Sequence, residues 1–349
     1  MSCVLGCNPN YEVAVTYRGN GPTLGVFEPE QLSWARNLDD WSEARFQFPA
    51  ECCGKLSQVR SWSHEMHVIR DGEEVWTGPV VVDANCRSGN TIVARDMWWW
   101  LARRVIHNDH VAASQGAVSI AAELIRDGFA PDDPDVLAYL TTYGTGILGG
   151  RNYQANSRYV IDALKDLAKG SIDFTSVGRR LVVMPQGYKL GQLPLLTCEH
   201  FQGDVCATDD GTGAATRAVF TNSQTTSGSD ITVLGEAGGT DDYFGLVEVL
   251  VSDSSITDPQ TAADAARAMV AKGNPPPLLV QPPDGSALSG DTPICINQLV
   301  PGVTVPVLLD CTCRTVSQDM RLKRLTVNWS DAGETVAPLL EPVGADVSD

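Results

Sequence analysis

Ten cysteines give this 349-residue chain its widest chemical latitude. Cys3, Cys7, Cys52 and Cys53 offer four thiolates, enough for a zinc ion or an iron–sulfur cluster. The paired C-x2-C knuckles usual in such sites are missing. The same residues suit disulfides, or close packing as small buried thiols. Spacing alone leaves all three readings open. Cys198-Glu199-His200 with Cys206 supplies three zinc donors and no evident fourth, which favours hairpin residues or a Cys198–Cys206 disulfide.

Histidine and aspartate offer less. His64-Glu65-Met66-His67 lacks the five-residue spacing of the zinc-protease helix, and on a strand residues three apart point to opposite faces. His107-Asn108-Asp109-His110 could set metal ligands in a loop, but reads better as a solvated connector. The pairs Asp39-Asp40, Asp132-Asp133, Asp209-Asp210 and Asp241-Asp242 lack the alternating acid–glycine loop and distal glutamate of a calcium site. They read as solvated turns. Gly146-Ile147-Leu148-Gly149-Gly150 and Gly235-Glu236-Ala237-Gly238-Gly239 have neither the lysine nor the strand-to-helix setting of a phosphate loop. No Gly-x-Ser-x-Gly elbow occurs. The expectation is a chain that is not an enzyme, with no catalytic residue, no metal and no cofactor.

Trp98-Trp99-Trp100 has the chemistry to stack sugars or bases. Three consecutive residues on a helix span most of its circumference, so one tryptophan must leave the core side. Trp76 and at least two of the three are expected to be mostly buried, as an aromatic core.

Composition narrows the partners. The net charge of −18 argues against a phosphate-binding surface and so against specific nucleic-acid binding. No apolar run approaches the roughly 20 residues of a membrane helix, so no stable membrane insertion is expected. Val4-Leu5-Gly6-Cys7 imitates a lipoprotein box without a basic leader or apolar stretch, which points to cytoplasmic synthesis.

The elements that would position these residues are mainly β, with an α+β insertion. Residues 1–105 read as a first β-domain, with strands at Tyr11–Tyr17, Glu43–Phe48 and Trp62–Ile69. Asp71-Gly72 between Val68-Ile69-Arg70 and Val75-Trp76 is a strong hairpin signal. Gly78-Pro79 reads as a strand break. Asp96 sits where a helix N-cap belongs, ahead of the tryptophan run. Residues 106–215 read as an α+β unit. One helix carries Val118, Ala121, Ala122, Leu124 and Ile125 and stops at Gly128. A second spans Ser157 to Lys169, and a hairpin turns at Val177-Gly178-Arg179. Residues 216–340 read as a second β-domain. Its helix opens either at a Thr257/Gln260 capping box or at Asp258 with Pro259 in the first turn. Residues 341–349 read as an acidic tail.

From Val68 to Arg104 the pattern RDG-x-x-VW-x-G-P … I-x-A-R-D-x-x-x-x-L-x-R-R resembles the minor tail proteins of long-tailed phages of actinobacteria. Phe27-Glu28-Pro29 through Asp40, Ala44-Arg45-Phe46-Gln47-Phe48-Pro49, and Ile172-Asp173-Phe174-Thr175 with Arg180-Leu181-Val182-Val183 extend the likeness over most of the chain. The resemblance implies a structural virion protein, the baseplate hub of the siphovirus tail tip. It implies two tube-like β-barrel domains per chain, so that a homotrimer continues a six-fold tail tube. The implied partners are the distal tail protein ring, the tape-measure protein, and central-fibre or receptor-binding proteins. DNA would pass through the channel. The implied location is the virion tail. The hub resemblance also places the N-terminal arm beside the first β-domain. Cys3, Cys7, Cys52 and Cys53 should then cluster, and disulfides are favoured over metal because the particle is extracellular. Alternatives of other classes are a cell-wall hydrolase and a host-surface carbohydrate-binding protein. The first is disfavoured because the chain ends soon after the second β-domain.

Overall fold

The computed structural model describes residues 5, 9–50, 53–87, 89–209, 211–221, 233–252, 258–274, 278–281, 287–311, 313 and 315–343. Seven strands come first: β1 (Tyr11–Tyr17), β2 (Thr23–Phe27), β3 (Gln31–Asn37), β4 (Glu43–Phe48), β5 (His64–Arg70), β6 (Glu73–Cys86) and β7 (Gly89–Arg95). Alternation sets their facing. In β4, Ala44, Phe46 and Phe48 are buried, while Glu43, Arg45 and Gln47 are exposed.

β5 and β6 form the hairpin that Asp71-Gly72 signals. Both turn residues sit at positive φ, 51° and 82°, as a two-residue turn of type I′ requires. Gly78-Pro79 does not break β6. The strand continues for 14 residues and changes partner there, from β5 to β7. A Cβ on Gly78 would lie 1.8 Å from the carbonyl oxygen of Arg95, so this crossing needs glycine.

The two ends of the chain meet in one sheet. β3 pairs with β4 on one side and with the strand Val316–Ser330 on the other, Trp34 opposite Val327. Val316–Ser330 pairs in turn with Gly333–Pro342 and, at its start, with Thr304–Leu309. The sheet runs from β2 to Cys206–Asp209 as an open path, and no barrel closes among the described residues. The structure is therefore mainly β with few helices. The closed barrels expected from the resemblance do not appear among those residues. One core serves this sheet. It joins Val13, Trp34, Phe46 and Trp76 to Ile294, Val305, Leu325 and Leu340.

A second core lies over 97–183, beneath the helices Ala117–Phe129 and Val160–Ala168 and the hairpin Ile172–Val177/Arg180–Pro185. The first helix runs through Gly128 instead of stopping there. A Cβ on Gly128 would come within 3.0 Å of Leu101 and Val160, so glycine serves close packing.

A small unit packs the helix Pro259–Gly273 on three strands, Arg217–Thr221, Val233–Gly238 and Glu248–Ser252. Asp258 caps that helix, accepting from Thr261 N at 2.8 Å, with Pro259 in the first turn.

Candidate functional site

The sequence holds several charged residues in phase with apolar ones, and these make the principal joints of the molecule. Arg36 shares the inward phase of β3 with Leu32, Trp34 and Leu38 and is buried with them. Its guanidinium donates to the carbonyls of Val75 (2.6 Å), Ile296 (3.2 Å) and Leu299 (3.0 Å). Burial pulls its pKa down to about 10. Arg70 shares a phase with Met66 and Val68, and Glu334 with Val336 and Leu340. Across the joint Arg70 Nε meets Glu334 Oε1 at 2.8 Å and Nη2 meets Oε2 at 2.9 Å. The Tyr11 hydroxyl donates to the same carboxylate at 2.7 Å. This two-pronged ion pair ties β1 and β5 to the last hairpin.

The unit built on the second core, over 97–183, is fastened to the long sheet through Asp96, Asp39 and Glu65 among other contacts. Asp96, at the end of β7, caps the 3-10 helix Met97–Arg103 by accepting from Trp98 N at 3.1 Å. Its other oxygen accepts from Ser42 N (2.8 Å), Ser42 Oγ (2.7 Å) and Ser176 Oγ (3.2 Å). Burial pushes its pKa up to about 7 against these hydrogen bonds, which pull it down. Asp39 N donates to the Phe174 carbonyl at 2.8 Å, and Asp39 Oδ1 accepts from Phe174 N at 3.0 Å; the carboxyl pKa is also raised, first by burial and then by nearby Asp173. Arg321 balances Asp173 at 2.6 Å. Glu65 is fully buried and pairs with Arg179, which also donates to the Pro134 carbonyl at 2.8 Å.

The aromatic residues sit at the same joint. Trp76 (2% exposed) donates to Ser42 Oγ at 3.2 Å, and Trp98 (0%) lies edge-on to Phe174 at 4.8 Å. Trp100 (6%) lies edge-on to Trp62. Trp99 is the member that leaves the core side. It packs half-buried on Trp41, with the Arg95 guanidinium 3.9 Å from its ring centre.

His64 and His67 are both buried, on opposite faces of β5. His67 bridges Thr16 and Glu74. His107 and His110 flank Asp127, each 3.8 Å from one of its oxygens. Among the described residues no group of three or more His, Cys, Asp or Glu could hold a metal. No helix there is long and apolar enough to cross a membrane.

Cys198 does not pair with Cys206. It is bonded to Cys311, with Cα atoms 6.3 Å apart. The reason is strand pairing: Leu196–Thr197 lies parallel to Val307–Leu308 and carries Cys198 toward Cys311. Cys206 leaves on another strand, opposite Gln281, and is an exposed free thiol. Cys295 is also disulfide-bonded. Cys3, Cys7, Cys52 and the Cys53 side chain lie outside the described residues, and so does the expectation that they cluster.

The small unit presents a different surface. Asp241 Oδ1 accepts from Tyr243 N and Phe244 N, both at 2.8 Å, and Asp241 and Gly245 exchange two backbone bonds. The loop so fixed holds Tyr243 87% exposed at its tip.

No protein-family model matches the chain, and no curated protein matches it either. Solved structures do. The 43 kDa tail protein of prophage MuSo2 from Shewanella oneidensis has a TM-score of 0.62 at 15% identity, covering 96% of this chain and 99% of that one. A tail protein from Neisseria meningitidis MC58 scores 0.59 at 15% identity, over 95% and 96%. Prophage tail protein gp18 from Listeria monocytogenes EGD-e scores 0.60 at 11% identity, over 94% of each chain. The chain has the fold of these phage tail proteins along nearly its whole length.

Proposed function

We propose that the chain is a structural, non-catalytic hub of a phage tail tip. The observation that carries this is the joining of β3 to Val316–Ser330, which makes one sheet from both ends of a chain whose fold is shared end to end with three phage tail proteins. In this reading 1–105 and 216–340 supply two tube-like units, 106–215 is an insertion and 341–349 a tail. Two units per chain let three chains imitate six tube subunits, so a homotrimer closes or continues a six-fold tube. The distal tail ring lies above, the tape-measure protein inside, and the central fibre or receptor-binding proteins below. The Arg70–Glu334 pair and the Asp96 joint tie both ends of the chain and 97–183 to one sheet, which suits a ring subunit of fixed shape. The siphovirus origin and the clustering of Cys3, Cys7, Cys52 and Cys53 belong to the same proposal.

Quantitative mass spectrometry of purified particles tests it. Three copies per particle are expected. Six copies, or the hundreds of a tube protein, would overturn it. A zymogram on host peptidoglycan separates the hydrolase alternative: clearing by the purified chain would replace the structural reading with an enzymatic one.

A further inference from the structure

A hollow of about 540 Å³ opens where β3 and β4 meet the hairpin of Val316–Ser330 and Gly333–Pro342. Its floor is two polar rungs crossing the sheet. Gln47, Gln31 and Ser330 align in register, and so do Arg45, Ser33, Asn328 and Thr335. Gln202 approaches from a separate strand. In a chain of net charge −18, this surface presents four amides and a single exposed charge, the Arg45 guanidinium. Arg45 forms no ion pair among the described residues. The carboxylate of the lining, Glu334, is fully buried and held by Arg70 and Tyr11.

These facts select a class of ligand. Amides and hydroxyls both donate and accept, which matches vicinal sugar hydroxyls. The volume lies in the ordinary range for small-ligand sites, about 300–1,000 Å³. An extended peptide adds to a free strand edge, whereas the two polar rungs lie on the face of the sheet, over β3, β4 and Val316–Ser330, each of which is paired on both sides. A nucleic acid needs clustered cations, and there is one. We propose that this hollow binds a short saccharide carrying an anionic substituent, with Arg45 taking the carboxylate or phosphate. Hydrolysis requires two available carboxyl groups, and the one carboxylate here is fully engaged, so the saccharide is bound and not cleaved.

The test uses the full chain and three probes: trigalacturonate, a trisaccharide bearing a phosphate, and neutral maltotriose. Binding is read by ligand-observed NMR and calorimetry. At least one anionic probe should bind with a Kd below about 1 mM, and maltotriose roughly tenfold more weakly. Which anionic probe wins distinguishes carboxylate from phosphate recognition. Arg45→Gln should abolish the preference for charge. Asn328→Ala and Gln47→Ala should each weaken the anionic probe, together by at least about tenfold. All three positions are exposed, and an unchanged unfolding midpoint confirms that the fold survives. Tyr243→Ala, in the small unit, should leave binding unchanged. No binding of any probe at about 10 mM, or binding indifferent to the Asn328 and Gln47 variants, overturns the proposal. Release of reducing ends from a bound probe overturns its non-hydrolytic half. Failure here leaves the particle stoichiometry test of the hub untouched.

Discussion

In the long sheet, Trp34, Phe46 and Trp76 fill a core fed by both ends of the chain, and Arg70 and Glu334 lock across the seam. In the small unit over 217–274, the buried apolar cluster among the described residues is Ala218, Phe220, Ala262 and Ala266, and the ion pairs of Arg217 with Glu236 and Glu248 lie in solvent. One face of its sheet has a helix. The other shows Leu250 at 72% exposure, and the fixed loop shows Tyr243. Large buried side chains and desolvated ion pairs resist local opening, whereas alanine packing and exposed ion pairs contribute little. The long sheet is built to keep its shape. The small unit is held by smaller side chains and leaves more apolar surface in solvent. Native-state hydrogen exchange should therefore show the small unit opening at a lower free energy than the long sheet. Equal protection would erase the distinction.

The largest blow to the long sheet is Glu334→Ala. It removes the two-pronged partner of the buried Arg70 and the acceptor of the Tyr11 hydroxyl, leaving Arg70 its contact with half-exposed Asp71, and should cost about 3 kcal/mol by urea unfolding. A cost below about 1 kcal/mol would mean the seam does not hold the ends together. Next is Cys198→Ser. The bond closes 113 residues of sequence, and its loss should cost roughly 2–4 kcal/mol, seen as a reductant-sensitive melting midpoint in the native chain.

Gly235→Ala addresses the small unit. Its Cβ would lie 2.4 Å from Ala263 N, pushing the helix off the strands at a cost of about 1–3 kcal/mol. Exchange should accelerate over 217–274 and stay unchanged at β5 and β6.

Asp96 supplies a pH signature for the joint between the long sheet and the second core over 97–183. Its folded pKa of about 7 lies above the unfolded value, so the folded state holds the extra proton. Its contribution is fully present below about pH 4 and is lost as the pH rises toward 7, by at most about 1.4 kcal/mol per pH unit. Asp39 acts in the same direction. Asp96→Asn should flatten the fall in stability between pH 4 and 7, and an unaltered slope would remove Asp96 from that role. The smallest effect belongs to Tyr243→Ala, which should shift stability by no more than about 0.5 kcal/mol. A larger loss would show that the loop supports the fold.

Much of this was legible in the residues. Period-2 alternation marked β1 and β4, Asp71-Gly72 marked the hairpin, and Asp258-Pro259 was one of two openings left for the last helix. The joints were legible in principle too. Arg36, Arg70 and Glu334 each sit in the apolar phase of a strand, where a charge must find a buried partner. Their partners were not legible, because those bonds span 260, 264 and 323 positions of sequence. A separation of 113 positions likewise hid the bond between Cys198 and Cys311, which the parallel pairing of Leu196–Thr197 with Val307–Leu308 brings together. Gly78-Pro79 misled because glycine served a strand crossing and not a turn.

The most direct test of the hub is a reconstruction of the tail tip with this chain located in it. The account predicts three copies in one ring on the tail axis, each supplying two tube-like units that continue the six-fold tube. Six copies in that ring, or a position off the axis, would contradict it.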